Sequence, residues 1–170
     1  MKRKVTQTIF GGAILALVLA GAVVFKARAT PPSGISFNPI GRATVPAFDV
    51  KRKEKAIDWE LRLEAPQPIE VATQVVNFQP GGYSGWHTHP GPVFFTVQTG
   101  TLTVYEGNDP TCTPHIFTAG TGAVEAATND HIHMVRNETA SPAQAVVTYL
   151  VPVGTSALRT DLPNPGNCAF

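Results

Sequence analysis

The order of apolar and polar residues changes character once along this chain. Between Lys4 and Lys26 lies a charge-free apolar stretch, residues 5–25, and beyond residue 30 the pattern settles into a period of two. A stretch of that length in helical form reaches across about 30 Å of hydrocarbon, so it predicts a hydrophobic helix. Residues 1–29 are therefore expected to act as a transmembrane anchor or a signal peptide. Lys2, Arg3 and Lys4 favour the cytoplasmic side, while Ala27-Arg28-Ala29 offers small residues at a cleavage position. The domain that follows is expected outside the cytoplasm. It would be membrane-anchored if the leader stays, and secreted or periplasmic if it is removed.

Past the leader the alternation reads as strands. Ile57, Trp59, Leu61 and Leu63 alternate with Asp58, Glu60, Arg62 and Glu64, which predicts a half-buried strand. A β-branched run over 69–78 ends at Pro80-Gly81-Gly82, a turn signal. Residues 93–97 and 102–105, split by Gly100, read as a hairpin, and Gly107-Asn108-Asp109-Pro110 as the loop after it. Further short strands are expected over 115–117, 123–126, 132–136 and 145–151. Many short strands with regular punctuation, and no helical period, predict an all-β sandwich or barrel. The expected organisation is an irregular lead-in or first strand over 30–55, a barrel over 56–152 and a tail over 153–170.

Composition narrows the function. Five of the 13 basic residues lie in the leader, leaving eight against twelve acids, so the domain is near −4. Such a surface suits nucleic acid poorly, because that binding rests on clustered cations. The mixed run Lys51-Arg52-Lys53-Glu54-Lys55 reads as a solvated loop. Cys112 and Cys168 are the two cysteines, and an even count in an exported domain predicts a disulfide that holds the tail.

Four of the five histidines fall in His87-Thr88-His89 and His131-Ile132-His133. On a strand, residues two apart share a face, so either pair can converge on one ion. His115 lies outside both segments and reads as a surface residue. The spacing around the histidines resembles the cupin superfamily, specifically its small single-domain members. The first cupin motif is met by Gly81, His87, His89 and Gly100, with Val93 at the position where Glu is expected. The second is met by Gly122, His133 and Asn137, with Thr128 and Asp130 in place of Pro and Gly. The resemblance covers roughly 69–150 and implies a double-stranded β-helix, or jelly-roll barrel.

That resemblance further implies a divalent transition metal on His87, His89 and His133. Imidazole suits Fe, Mn, Ni, Cu or Zn, so ligand type does not choose among them. With Val93 in place of the acid, three readings stay open. The three histidines hold the metal alone, or Glu125 reaches inward to replace the acid, or the metal is lost and the barrel binds a ligand or partner. Glu125 and His131 are the candidate acid–base groups. The functional expectation is a metal-dependent oxygenase or isomerase acting on a small molecule of unknown identity, with a non-catalytic binding barrel as the alternative. Membrane contact through the leader and a homodimer complete the expected partners.

Overall fold

The computed structural model describes residues 28–125 and 131–170. Twelve strands carry the fold, and all but two of them belong to one sheet. They are β1 Ser33–Val45, β2 Phe48–Glu54, β3 Trp59–Ala65, β4 Ile69–Tyr83, β5 His87–Thr88 and β6 Val93–Thr99. There follow β7 Thr101–Glu106, β8 His115–Thr118, β9 Gly122–Glu125, β10 His133–Arg136, β11 Ala143–Pro152 and β12 Thr160–Asp161. One side of the sheet runs β1, β4, β11, β6, β9; the other joins β10 to β4, β5 and β7, with β8 beyond β7 and β12 beyond β5. It curls into a nearly closed barrel, the all-β architecture that the alternation predicts.

The core follows from the period of two. In β6, Val93, Phe95 and Val97 are buried while Phe94 and Thr96 face outward. Phe95 and Val97 meet Val76 and Phe78 of β4, Leu102 and Val104 of β7, Val135 of β10 and Ala145 of β11 in one apolar cluster, while Val93 packs in a second. Strand β4 does not stop at Pro80-Gly81-Gly82. Gly81 adopts φ +74°, a left-handed conformation open to glycine. The strand bends there, and Tyr83 pairs with Arg136 of β10. Asn137, 1 % exposed, locks the bend: its backbone N donates to Gly82 O at 2.8 Å, and its side-chain amide donates to Gln79 O at 3.2 Å and Ser141 O at 2.8 Å.

Several expectations need correction. Of the two readings of the lead-in over 30–55, irregular or a first strand, the strand is the one found. The segment contains the 13-residue β1, paired along β4 with a register shift between Pro39 and Gly41, and then β2. Pro39 and two glycines in β1 hide the strand, since proline is at home in an edge strand or at a bulge. The run Lys51-Arg52-Lys53-Glu54 is strand β2 and not a loop. Of the strand expected from Ile57 to Glu64, Ile57 lies in a 3-10 turn over Lys55–Ile57 and β3 begins at Trp59; it forms half of a separate two-stranded ribbon with β2, and Trp59, Leu61 and Leu63 are exposed. The expected location outside the cytoplasm, by anchor or by secretion, is not upheld: among the described residues no helix is long and apolar enough to cross a membrane. The helix expected over 5–25 lies outside the described residues.

The tail over 153–170 returns to the barrel. Cys168 is bonded to Cys112 across a separation of 56 residues, and Asn167 donates to Glu106 O at 2.8 Å. Closing a loop of that length is worth about 4 kcal/mol in the chain-entropy description. Denaturant unfolding of a Cys112→Ser/Cys168→Ser variant should show a loss of that order, and thiol titration of the unreduced, denatured wild type should find no free thiol.

Candidate metal centre

The bend in β4 sets the position of the His-x-His segment. After it, Ser84 and Gly85 lead into β5, where His87 pairs directly with His133 of β10. Partners opposite one another in a ladder share a face, so these two side chains enter the barrel together. His89 follows His87 by two residues and joins them. One ligand atom from each of the three lies within 4.8 Å of the others. Their rings are packed at 4.3 Å for His87–His133, 4.7 Å for His87–His89 and 5.2 Å for His89–His133. The cluster is buried: His133 is 0 % and His87 4 % exposed.

Hydrogen bonds to the backbone aim the imidazoles. Nδ1 of His87 lies 2.9 Å from Gly85 O, and Nδ1 of His89 lies 2.7 Å from Leu158 O. A carbonyl can only accept, so each Nδ1 carries a hydrogen, and Nε2 is the ring nitrogen of each that is left to ligate an ion when the ring is neutral. Gly85 is required for this arrangement. Its φ is +70°, and a Cβ there would meet Thr30 O at 1.9 Å. Thr30 in turn accepts from Trp86 N at 2.7 Å and donates to Leu162 O at 3.0 Å, tying the entry of the domain to the His-x-His loop and the tail.

The carboxylate that β6 lacks stands on the neighbouring strand. Val93, 0 % exposed, is paired directly with Glu125 of β9, so both residues face inward. Glu125 Oε2 lies 3.2 Å from His89 Nε2 and 3.3 Å from His133 Nε2. Burial opposes its ionisation, yet the charge of His133 and the contacts from both histidines outweigh that and hold its carboxyl well below the usual range. Tyr149 adjoins, its ring 5.3 Å from that of His89, and its hydroxyl accepts from Gln74 at 2.6 Å. Burial and then the Glu125 charge raise that hydroxyl, which therefore stays protonated.

A cavity of about 40 Å³ opens onto His87, His89, Glu125 and Tyr149. Ser84 and Arg159 add polar groups to its lining, and Val76, Phe95 and Leu102 are among its apolar residues. Arg159 comes from the tail. Nη2 donates to Ser84 O at 2.6 Å and Nε to Asp161 at 2.8 Å, while β12 pairs Asp161 with His87. Nothing in the barrel motifs pointed to Leu158, Arg159 or Asp161. The available clue was the Arg159-x-Asp161 charge pair in a strand-like setting.

His131 stands apart. Its Nε2 contacts Glu106 Oε2 at 3.0 Å, and its ring lies 5.0 Å from that of His133. It borders a different hollow, with Glu106 and His115, and is not among the residues lining the central cavity. The hydrogen bond to Glu106 raises its pKa against a smaller opposing effect of burial. His115 is exposed, and Trp86, 1 % exposed, is packed with Tyr105, Met134 and Cys168. Thr128 and Asp130 lie outside the described residues.

Residues 74–149 match the family model described as Cupin domain. The barrel is a cupin-type domain, as the spacing of its histidines implied. Among solved structures, the cupin domain of an XRE family transcriptional regulator from Enterobacter cloacae is similar at 14 % identity and TM-score 0.44, over 71 % of this chain and 99 % of that one. An uncharacterized conserved protein with a double-stranded β-helix domain from Klebsiella pneumoniae is similar at 20 % identity and TM-score 0.44, over 73 % and 84 %. An oxalate oxidase in complex with glycolate is similar at 19 % identity and TM-score 0.45, over 82 % and 65 %. No curated protein matches the chain.

Burial, followed by the charges of His133, Arg159 and His89, holds His87 well below the usual imidazole range. Its folded-state pKa, like that of Glu125, lies below the unfolded value. The folded state therefore binds fewer protons, and stability present above the unfolded pKa of His, about 6.5, is lost as pH falls. Chelator-treated protein should melt at a lower temperature at acidic than at neutral pH, and His87→Gln should flatten the part of that slope nearest pH 6.

Proposed function

We propose that this chain is a metal-dependent cupin-type protein that binds and transforms a small anionic organic molecule, with His87, His89 and His133 as the metal ligands. One observation carries the reading: two imidazoles have their Nδ1 atoms committed to backbone carbonyls, and one ligand atom from each of the three rings lies within 4.8 Å of the others. Both ring nitrogens of His133 are buried without a hydrogen bond. A buried orphan of this kind is costly unless something fills the site, and a cation among three converging nitrogens fits that need. Such an ion, drawn from Fe, Mn, Ni, Cu or Zn, would supply Lewis acidity and open coordination positions of the kind that oxygenases and isomerases use.

The residues of the chain account for the rest. Glu125 replaces the carboxylate missing at Val93, because moving the acid one strand across the ladder keeps it on the same inward face. Held ionised beside His89 and His133, it lowers the net charge of the donor set and is the group placed to accept a proton from a bound molecule. Arg159 faces the same cavity. Its guanidinium, fixed through Nε and Nη2, suits a carboxylate, while Val76, Phe95 and Leu102 give the same cavity apolar walls. The size of the cavity limits the occupant to a few non-hydrogen atoms, since a single water needs about 10–15 Å³. His131 is given no part in the reaction, because Glu106 and a separate hollow engage it.

Elemental analysis of the full chain, purified without chelator, should find near-stoichiometric metal that is lost in His87→Ala/His89→Ala and in His133→Ala. Wild type that stays metal-free after reconstitution with each of the five ions would sink the reading. Glu125→Gln should weaken metal affinity by about 10–100-fold, read by competition with a chromogenic chelator. With acetate as probe, Arg159→Met should reduce affinity by at least about tenfold in calorimetric titration, the scale of one charge-assisted hydrogen bond.

A further inference from the structure

The ribbon of β2 and β3 has two faces of opposite character. Cross-strand partners share a face, which places Val50 with Leu63, Arg52 with Leu61 and Glu54 with Trp59 on one side. The other side is charged and satisfies itself. Lys51 and Lys53 reach Glu60 at 3.1 and 3.5 Å, and Arg62 reaches Glu64 at 2.7 Å. That side is suited to water. The first is not: Val50 is 52 %, Trp59 45 %, Leu61 43 % and Leu63 37 % exposed. An isolated two-stranded ribbon is marginal in water, and a contiguous exposed apolar patch marks a surface that something covers.

We propose that the apolar face of this ribbon is a homodimer interface, covered by the same face of a second copy across a two-fold axis. Charge selects this occupant. Within the apolar face stand one cation, Arg52, and one anion, Glu54, so the face is electrically self-complementary. In an isologous contact each residue meets the other's counterpart, and Arg52 of one copy can lie beside Glu54 of its mate. A face made for an acidic or a basic partner would carry a single sign.

Position argues against the apolar residues 5–25 as the cover. The described chain enters at Arg28, where Thr30 is bonded to Trp86 and Leu162. The 13 residues of β1 then span about 40 Å before the ribbon begins, so that segment joins the domain at the far end of the sheet. Area supplies the last constraint. Seven residue pairs make a face of about 24 by 10 Å, well short of the ~800 Å² per partner of a standard interface. The open edge of β1 leads directly into the ribbon and supplies further surface; among the described residues that strand is paired in the sheet with β4 alone.

Sedimentation equilibrium of the full chain tests this independently of any metal. Wild type should behave as a dimer. Leu61→Glu/Leu63→Glu should weaken the dissociation constant at least ~100-fold, because the apolar contact is lost and the face then carries a net negative charge against its own copy. Lys51→Ala/Arg62→Ala, on the charged face, should leave it unchanged. Circular dichroism and the absence of free thiols confirm folding of each variant. Loss of the dimer in Arg52→Glu with recovery in Arg52→Glu/Glu54→Arg would support the two-fold pairing. A wild type that is monomeric at every concentration overturns the proposal, as does an oligomer indifferent to the Leu61 and Leu63 substitutions in folded protein.

Discussion

The site depends on one register: His87 directly opposite His133 in the ladder between β5 and β10. Side chains alternate with a period of two, so a slip of one residue on either strand would turn a ligand outward and bring its neighbour in. The molecule fixes this register from both ends. Gly81 bends β4 so that its last residues run beside β10, and Asn137 ties the bend to the far end of β10 through several hydrogen bonds. Thr30 and the tail hold the other side of the His-x-His segment through Trp86 and Leu162. The buried imidazoles are thus placed by backbone constraints that exist before any ion arrives.

The same ladder logic bears on the departure at Val93 from the motif. Val93 occupies the place of an acid, and read along one strand this is a loss. Read across the sheet, Val93 is paired with Glu125, and the pair presents one apolar and one acidic side chain to the same interior. Val93 packs with Ala72, Tyr149 and Val151, while Glu125 approaches the histidines. The acidic side chain reaches the histidines from the neighbouring strand, at a different position along the chain. The tail contributes in a similar way, since Leu158 orients His89 and Arg159 enters the cavity from a segment outside the barrel strands.

The ribbon shows where the burial implied by alternation and the burial supplied by the fold part company. The period of two indicates a strand with one apolar face, found from Trp59 onward while Ile57 lies in the preceding 3-10 turn, but burial of that face needs a second surface, and the described chain provides none. The opposite error occurs in β1, whose Pro39, Gly34 and Gly41 obscure a strand that the partner β4 nonetheless enforces by pairing along nearly its whole length. Local pattern reports what a segment prefers; pairing partners decide where it lies.

By itself the sequence determined the all-β class, the positions of most barrel strands from β4 to β11, and the three histidines that meet. These rest on local alternation and on spacings of two residues, which the chain carries without reference to its neighbours. It also held the candidate acid in Glu125, but without a reason to choose it over a three-histidine site or a barrel without metal. Only the tertiary structure decided that Glu125 faces Val93, that His131 turns to Glu106, that the tail completes the cavity, and that Trp59 and Leu61 remain uncovered. Each of those outcomes depends on which strand lies beside which, a property of long-range pairing that no local window of residues contains.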